Sequence, residues 1–272
     1  MKNGSSYWAT VILVVYNENV ADIEILRKLR KYSQEILTIV CDNSTTIVNH
    51  KEDLWETAIY LSMGGNKGLS RAYNKALEYI CGKVVCIFDD DSILCDGYFD
   101  VLKNEYLNGG WDVLLPVVFS NNRMLSPTSF NGFRSSQTTF SKLDDIDGRK
   151  LSGINSGMMI RPEVFNHIKY DEGLFLDLID HQFCEDVKQC EMRIGIAPKL
   201  RLEQAYSFVS DDPSSAFSRF EIFSRDARHF YDSNLLKRLY CSLMLVYRAF
   251  KLSARYRSLR YFGVIFDEKG NS

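Results

Sequence analysis

A chain of 272 residues suffices for one large α/β domain, or one domain with an appendage. Apolar residues make up 46% and charged residues 25%, the ordinary values of a soluble globular protein, which excludes disordered and fibrous classes. A net charge of −2 gives no electrostatic footprint for nucleic acid. The charge is nevertheless uneven: ten Lys/Arg against three Asp/Glu fall between Arg219 and Arg260, so this stretch meets a different surface from the rest. The seven cysteines form no CxxC pair and read as small buried residues of a reducing compartment. Met1 opens on the polar stretch KNGSS with no apolar signal region, and no apolar run is long enough to span a bilayer. The expectation is a cytoplasmic protein whose membrane contact, if any, is peripheral, at the inner face of the cell membrane.

In chain order, Trp8 to Tyr16 is strongly β-prone and stops at Asn17-Glu18-Asn19. Ile23, Leu26, Leu29 and Tyr32 recur every third residue and predict an amphipathic helix. Ile36 to Val40 predicts a second buried strand ending at Cys41-Asp42-Asn43-Ser44, and Ala58 to Met63 a third. The loop Gly64-Gly65-Asn66-Lys67-Gly68 then opens a helix to about Ile80. Val84 to Phe88 is a buried strand running directly into Asp89, Asp90 and Asp91. Strand and helix thus alternate, and each strand ends in a polar loop, the pattern of a doubly wound, mostly parallel sheet. Beyond it, Asp96 to Asn108 predicts a helix and Asp112 to Phe119 a strand, while Ser120 to Gly153 has little periodicity. Ile154 to Ile160 predicts a strand broken at Ser-Gly, Ile179 to Arg193 a helix and Leu200 to Leu202 a short extended piece. From Ser214 to about Tyr261 the chain is helical in character, aromatic and basic.

Each candidate motif carries two readings. Three adjacent acids outside the carboxyl end of a strand suit a divalent cation shared with phosphate oxygens; they equally suit a solvated acidic turn. GGNKG before a helix can cradle phosphate on backbone N–H groups, although it lacks the Walker A and GxGxxG spacings; it is otherwise a tight turn. Asp42 can accept hydrogen bonds from a base or ribose, or cap a helix. Among Asp177, Asp180, Glu185 and Asp186 a general base has to be weighed against acids complementing a helix dipole, with His181 as a rival base. The basic, aromatic tail either lies on an anionic membrane or packs its aromatic stripe on the domain.

The ordered set VILVVYNEN, VCDNS, GGNKGLSRAYNKAL, CIFDDDS, INSGMMI and DEGLFLDLIDHQFCEDV resembles the family 2 glycosyltransferases of the GT-A fold, in particular their rhamnosyltransferase-like branch. The resemblance spans about 11–231. It implies a Rossmann-like central sheet with helices on both faces in a domain over 1–213, with a nucleotide-binding half near 7–119 and an acceptor-side half near 120–213. A helical C-terminal extension over 214–272 follows. It further implies that Tyr16, Asn17 and Glu18 line the nucleotide pocket and that Asp42 holds the pyrimidine. Asn66, Lys67 and Gly68 lie beside the donor. Asp89 sits near the ribose, with Asp90 next to it, and Asp91 ligates Mn²⁺ or Mg²⁺, with Asp89 as a second candidate ligand. Ser156 and Gly157 flank the donor sugar, and Asp180 is the catalytic base.

The implied reaction is an inverting transfer from a nucleotide-diphosphate sugar, with dTDP-rhamnose favoured, to a growing polysaccharide or polyprenyl-linked glycan. Two departures stand against the pattern. Gln182 occupies a position where the branch carries Glu, and Leu202-Glu203-Gln204-Ala205 has no His where the family often supplies a metal ligand, leaving Glu203 or water to substitute. They keep open a non-catalytic protein that binds sugar nucleotide or a partner enzyme. A nucleotidyltransferase is a third reading, which Lys67 and Arg71 supply with too few bases.

Overall fold

The structure is a computed structural model, and it describes residues 7–204 and 212–266. They fall into two compact units. The first takes the chain up to Tyr170 and from Asp180 to Tyr206; the second takes Asp171–Ile179 and the chain from Ser207 onward.

The first unit is built on β1 (Ala9–Val15), β2 (Ile36–Asp42), β3 (Ile59–Ser62), β4 (Val84–Asp89), β5 (Ser92–Leu94), β6 (Val113–Ser120), β7 (Arg123–Ser126), β8 (Thr128–Phe130), β9 (Ser135–Gln137), β10 (Leu151–Ser152), β11 (Met159–Ile160) and β12 (Ile194–Gln204). Its helices are α1 (Glu24–Leu29), α2 (Leu69–Ala76), α3 (Tyr98–Leu107) and α4 (Ile179–Gln189). The main sheet runs β3-β2-β1-β4-β11-β6-β12-β5, with β7 paired to β6. β1 pairs in parallel with β2 and β4, β2 with β3, and β6 with β12, whereas β11 and β5 run antiparallel to their neighbours. Every residue of β1 and β2 is buried, as expected for strands covered on both faces. The main core gathers Val11, Leu13, Ile25, Leu29, Val40 and Cys86 with Phe88, Phe99 and Leu114.

The parallel half and its helices follow the sequence pattern closely. Three segments differ. Leu200–Leu202 belongs to the eleven-residue strand β12, whose pairing with β6 shifts between Ala197 and Arg201 around Pro198 and Lys199. Of 154–160 only Met159–Ile160 is a strand, and Ser156 makes a lone bridge to Ile87. The stretch 120–153, expected to be irregular, holds β7 and a three-stranded sheet ordered β10-β8-β9.

The second unit contains α5 (Pro213–Phe230), α6 (Leu235–Tyr256) and α7 (Arg260–Phe266). Asp212 caps α5 by accepting from Ser215 N, and Asn234 caps α6 by accepting from Lys237 N. Segment 171–179 belongs with these helices and not with the sheet. Its tie is Asp226 of α5, a wholly buried carboxylate that accepts the backbone N–H groups of Phe175 (3.1 Å), Leu176 (2.8 Å) and Asp177 (2.8 Å). Arg219 adds a bidentate pair to Asp177, with Nη2 2.8 Å from Oδ1.

Candidate active site

Parallel strands that end together present their loops on one edge, and the sequence-predicted residues gather there. Asn17, at the end of β1, adopts a left-handed φ of 53°. Its Oδ1 accepts from Thr45 N (2.8 Å) and Thr46 N (3.0 Å), and its own N donates to Ser44 Oγ (2.9 Å). The loops after β1 and β2 are thereby stitched together, leaving Tyr16 and Glu18 exposed beside them.

Asp42 closes β2 and is buried. Oδ1 accepts from Ser44 N (2.8 Å), and Oδ2 accepts from Asn49 Nδ2 (3.0 Å) and Tyr60 Oη (2.8 Å). Burial pushes its carboxyl up, but the hydrogen bonds from Ser44, Tyr60 and Asn49 together outweigh it and hold the group below the usual carboxylate range. Asn43, also buried, donates to Gly68 O (3.1 Å) and accepts from Lys67 N (3.2 Å), so the glycine-rich loop hangs on the end of β2. Gly68 begins α2 at φ 87°, a conformation a side chain resists. Asn66 and Lys67 are exposed at that turn.

At the end of β4 the three acids crowd one another. Burial, then the charges of Asp180, Asp91 and Asp90, push Asp89 up to about 8 despite a hydrogen bond from Gln204. Asp90 rises to about 6, first through burial and then through Glu18 and Asp91; Asp91 also rises, chiefly through burial. Asp180, the second residue of α4, is thus close enough to the end of β4 for its charge to act on Asp89. Among the other acids of that region, Asp177 is paired with Arg219 and Glu185 with Lys188.

The floor is built by 155–157. Ser156 Oγ lies 2.7 Å from Ser92 Oγ, and Gly157 N donates to Ile87 O at 2.7 Å, which holds this turn against β4. Gly157 has φ 75°, and a Cβ there would run into Leu202 Cδ2 and lie 2.8 Å from Tyr98 Oη. Next to it, Asn155 is buried, 3% exposed.

His181, the rival base, is a packing residue. Its ring stacks on Phe130 with centroids 4.7 Å apart, and Nδ1 lies 2.7 Å from Ser152 Oγ. Gln182 donates to Asp186 Oδ1 at 2.7 Å, a helical i,i+4 pair within α4. At the end of β12, Gln204 Nε2 donates to Asp89 Oδ2 at 2.6 Å. Side chains alternate along a strand, so Glu203 points to the other face and does not stand in for the missing His. His229 is engaged elsewhere, 2.8 Å from Asp171 Oδ2 within the second unit. Ala205 lies outside the described residues.

Gln204, Asn155 and the scaffolding pair Asn43 and Asn49 carried no signal in the sequence as site residues. The one cue for Gln204 was its place in the segment where the family's His is sought.

Among the described residues no three His, Cys, Asp or Glu side chains are arranged to hold a metal ion by themselves. The chemistry of the donor set still suits a cation shared with a ligand. Asp91 Oδ1 is buried without a partner, and buried oxygens rarely stay so. Mg²⁺ typically takes one or two carboxylates and fills its sphere with phosphate and water.

A half-parallel sheet carrying an acidic triplet at the end of β4, with a carboxylate of α4 near it, is the arrangement of a glycosyltransferase of the GT-A type. The model of glycosyl transferase family 2 matches residues 10–169, more than half of the chain, and the chain belongs to that family. It is similar to dTDP-rhamnosyl transferase RfbF of Shigella flexneri, 24% identical over 208 residues that cover 71% of this chain and 68% of that protein. Its fold is similar to that of S. aureus TarS, with a TM-score of 0.51 and 16% identity over 89% of this chain; the match spans only 43% of TarS. TarS 1-349 in complex with UDP gives the same TM-score of 0.51 at 17% identity, covering 94% of this chain and 74% of that one.

Proposed function

We propose that this glycosyltransferase is metal-dependent and inverting, and that it moves a sugar from a nucleotide diphosphate to a cell-surface polysaccharide or polyprenyl-linked glycan. The observation that carries the reading is the acidic end of β4 in a chain of glycosyl transferase family 2, with the charge of Asp180 felt at Asp89. Rhamnose from dTDP-rhamnose is the favoured donor, because the curated relative is a dTDP-rhamnosyl transferase. The UDP complex of TarS supports a nucleotide in this type of fold.

The residues divide the work. Tyr16, Asn17 and Glu18 border the nucleotide. Asp42, held as a carboxylate by its hydrogen bonds, would accept from an N–H of the base. Asn66, Lys67 and Gly68 flank the donor, with Lys67 offering charge to phosphate. Asp91, with Asp89 beside it, would hold Mn²⁺ or Mg²⁺, which when bound neutralises the diphosphate as it leaves. Asp90 lies between them, next to Glu18. Ser156 and Gly157 shape the floor under the sugar. Asp180 accepts the proton of the acceptor hydroxyl as its oxygen bonds to the anomeric carbon. The bond from that carbon to the diphosphate oxygen breaks on the opposite face, so configuration inverts in one displacement. A positioned base of this kind supplies about 10²–10⁴ in rate. A lipid-linked acceptor would bring the reaction to an anionic membrane face through the helical region 214–262.

Asp180→Asn should abolish transfer while keeping the donor-induced thermal shift, since ligands that bind the folded state raise apparent stability. Asp91→Ala should lose the Mn²⁺-dependent part of that shift. Near-normal turnover of Asp180→Asn would sink the base assignment; an unchanged shift in Asp91→Ala would remove the metal. A second reading, a non-catalytic sugar-nucleotide binder, draws on Gln182, which is bonded to Asp186 and is not an acid. Donor hydrolysis by the wild-type protein with Mn²⁺ would exclude it.

A further inference from the structure

We propose that the outward face of α6 is a docking surface for an anionic lipid bilayer. The helix is apolar on two sides. One side buries Cys241, Leu245, Ala249 and Ser253. At 100° per residue the opposite arc carries Leu236, Leu239, Leu243, Tyr247 and Phe250, which are 71%, 53%, 72%, 65% and 64% exposed. A helix that is hydrophobic all round is normally buried all round, and a contiguous exposed apolar face of this kind marks a contact site. The aromatic residues of α5 behave otherwise: Phe220, Phe223 and Phe230 are buried.

Charge selects the occupant. α6 contains Lys237, Arg238, Arg248, Lys251 and Arg255 and no Asp or Glu over its 22 residues. Lys237, Lys251 and Arg255 fall along one edge of the outward arc at the helical period. A second copy packed on this face would set basic edges near each other with no acid on either helix to answer them. Anionic headgroups answer them directly, with each basic residue worth more near such a surface than in bulk water. Among the described residues no helix is long and apolar enough to cross a membrane. The arrangement is that of a helix lying in the interface plane, with its apolar side chains in the acyl boundary and its bases at headgroup level. The inference rests on the proposed function only in that a lipid-linked acceptor gives the surface a use.

The test needs neither donor nor acceptor. The full-length chain is sedimented with phosphatidylcholine vesicles, with and without phosphatidylglycerol. Wild type should bind the anionic vesicles, bind the neutral ones weakly, and come off as salt is raised. The triple variant Leu239→Ser, Leu243→Ser, Phe250→Ser should lose roughly tenfold or more of that partition, at an unchanged melting temperature because the residues are exposed. The pair Lys251→Gln, Arg255→Gln should lose the preference for phosphatidylglycerol. Undiminished binding by the triple variant overturns the proposal. So does a wild-type dimer in vesicle-free buffer that the triple variant turns into a monomer, since a second copy then covers the face. Transfer to a short soluble acceptor, measured separately, reports on the proposed function and is expected to survive all these substitutions.

Discussion

His181 shows how little a residue's place in the sequence says about its role. It neighbours the candidate base, yet its ring lies on Phe130 and Ser152 takes its Nδ1. Burial first, and the charge of Lys188 second, lower its pKa to about 4. An unfolded imidazole titrates near 6.5, so between these values the unfolded chain binds a proton that the folded chain refuses. This residue's contribution to stability is complete above about pH 6.5 and declines as pH falls toward about 4. Over that window wild type should lose roughly 1–3 kcal/mol more than His181→Gln in urea melts. The variant's turnover at neutral pH should stay within about threefold of wild type, since the ring is taken up by Phe130 and Ser152. Identical acid slopes in the two proteins, or loss of transfer in the variant, would contradict this. At this scale the acids of β4 were legible because a buried apolar run ends in charge, and Asp180 because its segment resembles the family's. Gln204 was not, because a neutral amide matters only through the partner that folding brings to it, here Asp89.

Among the elements, legibility tracked burial. β1, β2 and β4 are unbroken apolar runs, and such runs betray a strand covered on both faces. β12 hid because Pro198 and Lys199 interrupt it, and its register shift absorbs the interruption. The small sheet of β8, β9 and β10 hid because strands of two or three residues are too short for any period to show. The INSGMMI segment lies between these cases: its sequence suggests a strand, and the structure keeps most of it as a turn pressed onto β4. Gly157 lets that turn lie close to Leu202 and Tyr98. An alanine there must hold φ near 75° and push its Cβ into Leu202 and Tyr98. The first effect costs about 1 kcal/mol, and overpacking adds roughly 1–3 kcal/mol more. Gly157→Ala should therefore lower the melting temperature by roughly 4 °C or more. A variant that melts with wild type would show that β11 and its turn can shift without cost.

For the whole molecule, the helical extension expected from 214 onward is part of a unit that reaches back along the chain. Segment 171–179, which leads into α4 and Asp180, belongs with α5, α6 and α7. Nothing in composition announces this, because the joint is one carboxylate accepting three main-chain N–H groups. Asp226 is wholly buried, and its two oxygens satisfy Phe175, Leu176 and Asp177, with Arg225 3.5 Å away. Charge-assisted hydrogen bonds to buried amides are among the stronger ones, and removing the acceptor strands three donors. Asp226→Ala should cost roughly 3–5 kcal/mol, and Asp226→Asn somewhat less, because one oxygen survives. The loss should be local at first. Hydrogen exchange should show amides 175–177 losing protection while those of β1, β2 and β4 keep theirs, as opening by cooperative sub-units predicts. Uniform loss of protection along the chain, in Asp226→Asn as well as in Asp226→Ala, would mean that the two units unfold as one. For the same reason, ending the chain at residue 206 should not yield a smaller intact enzyme. It removes the acceptor of amides 175–177, which precede Asp180 in the chain, and transfer should fall even where the sheet still folds.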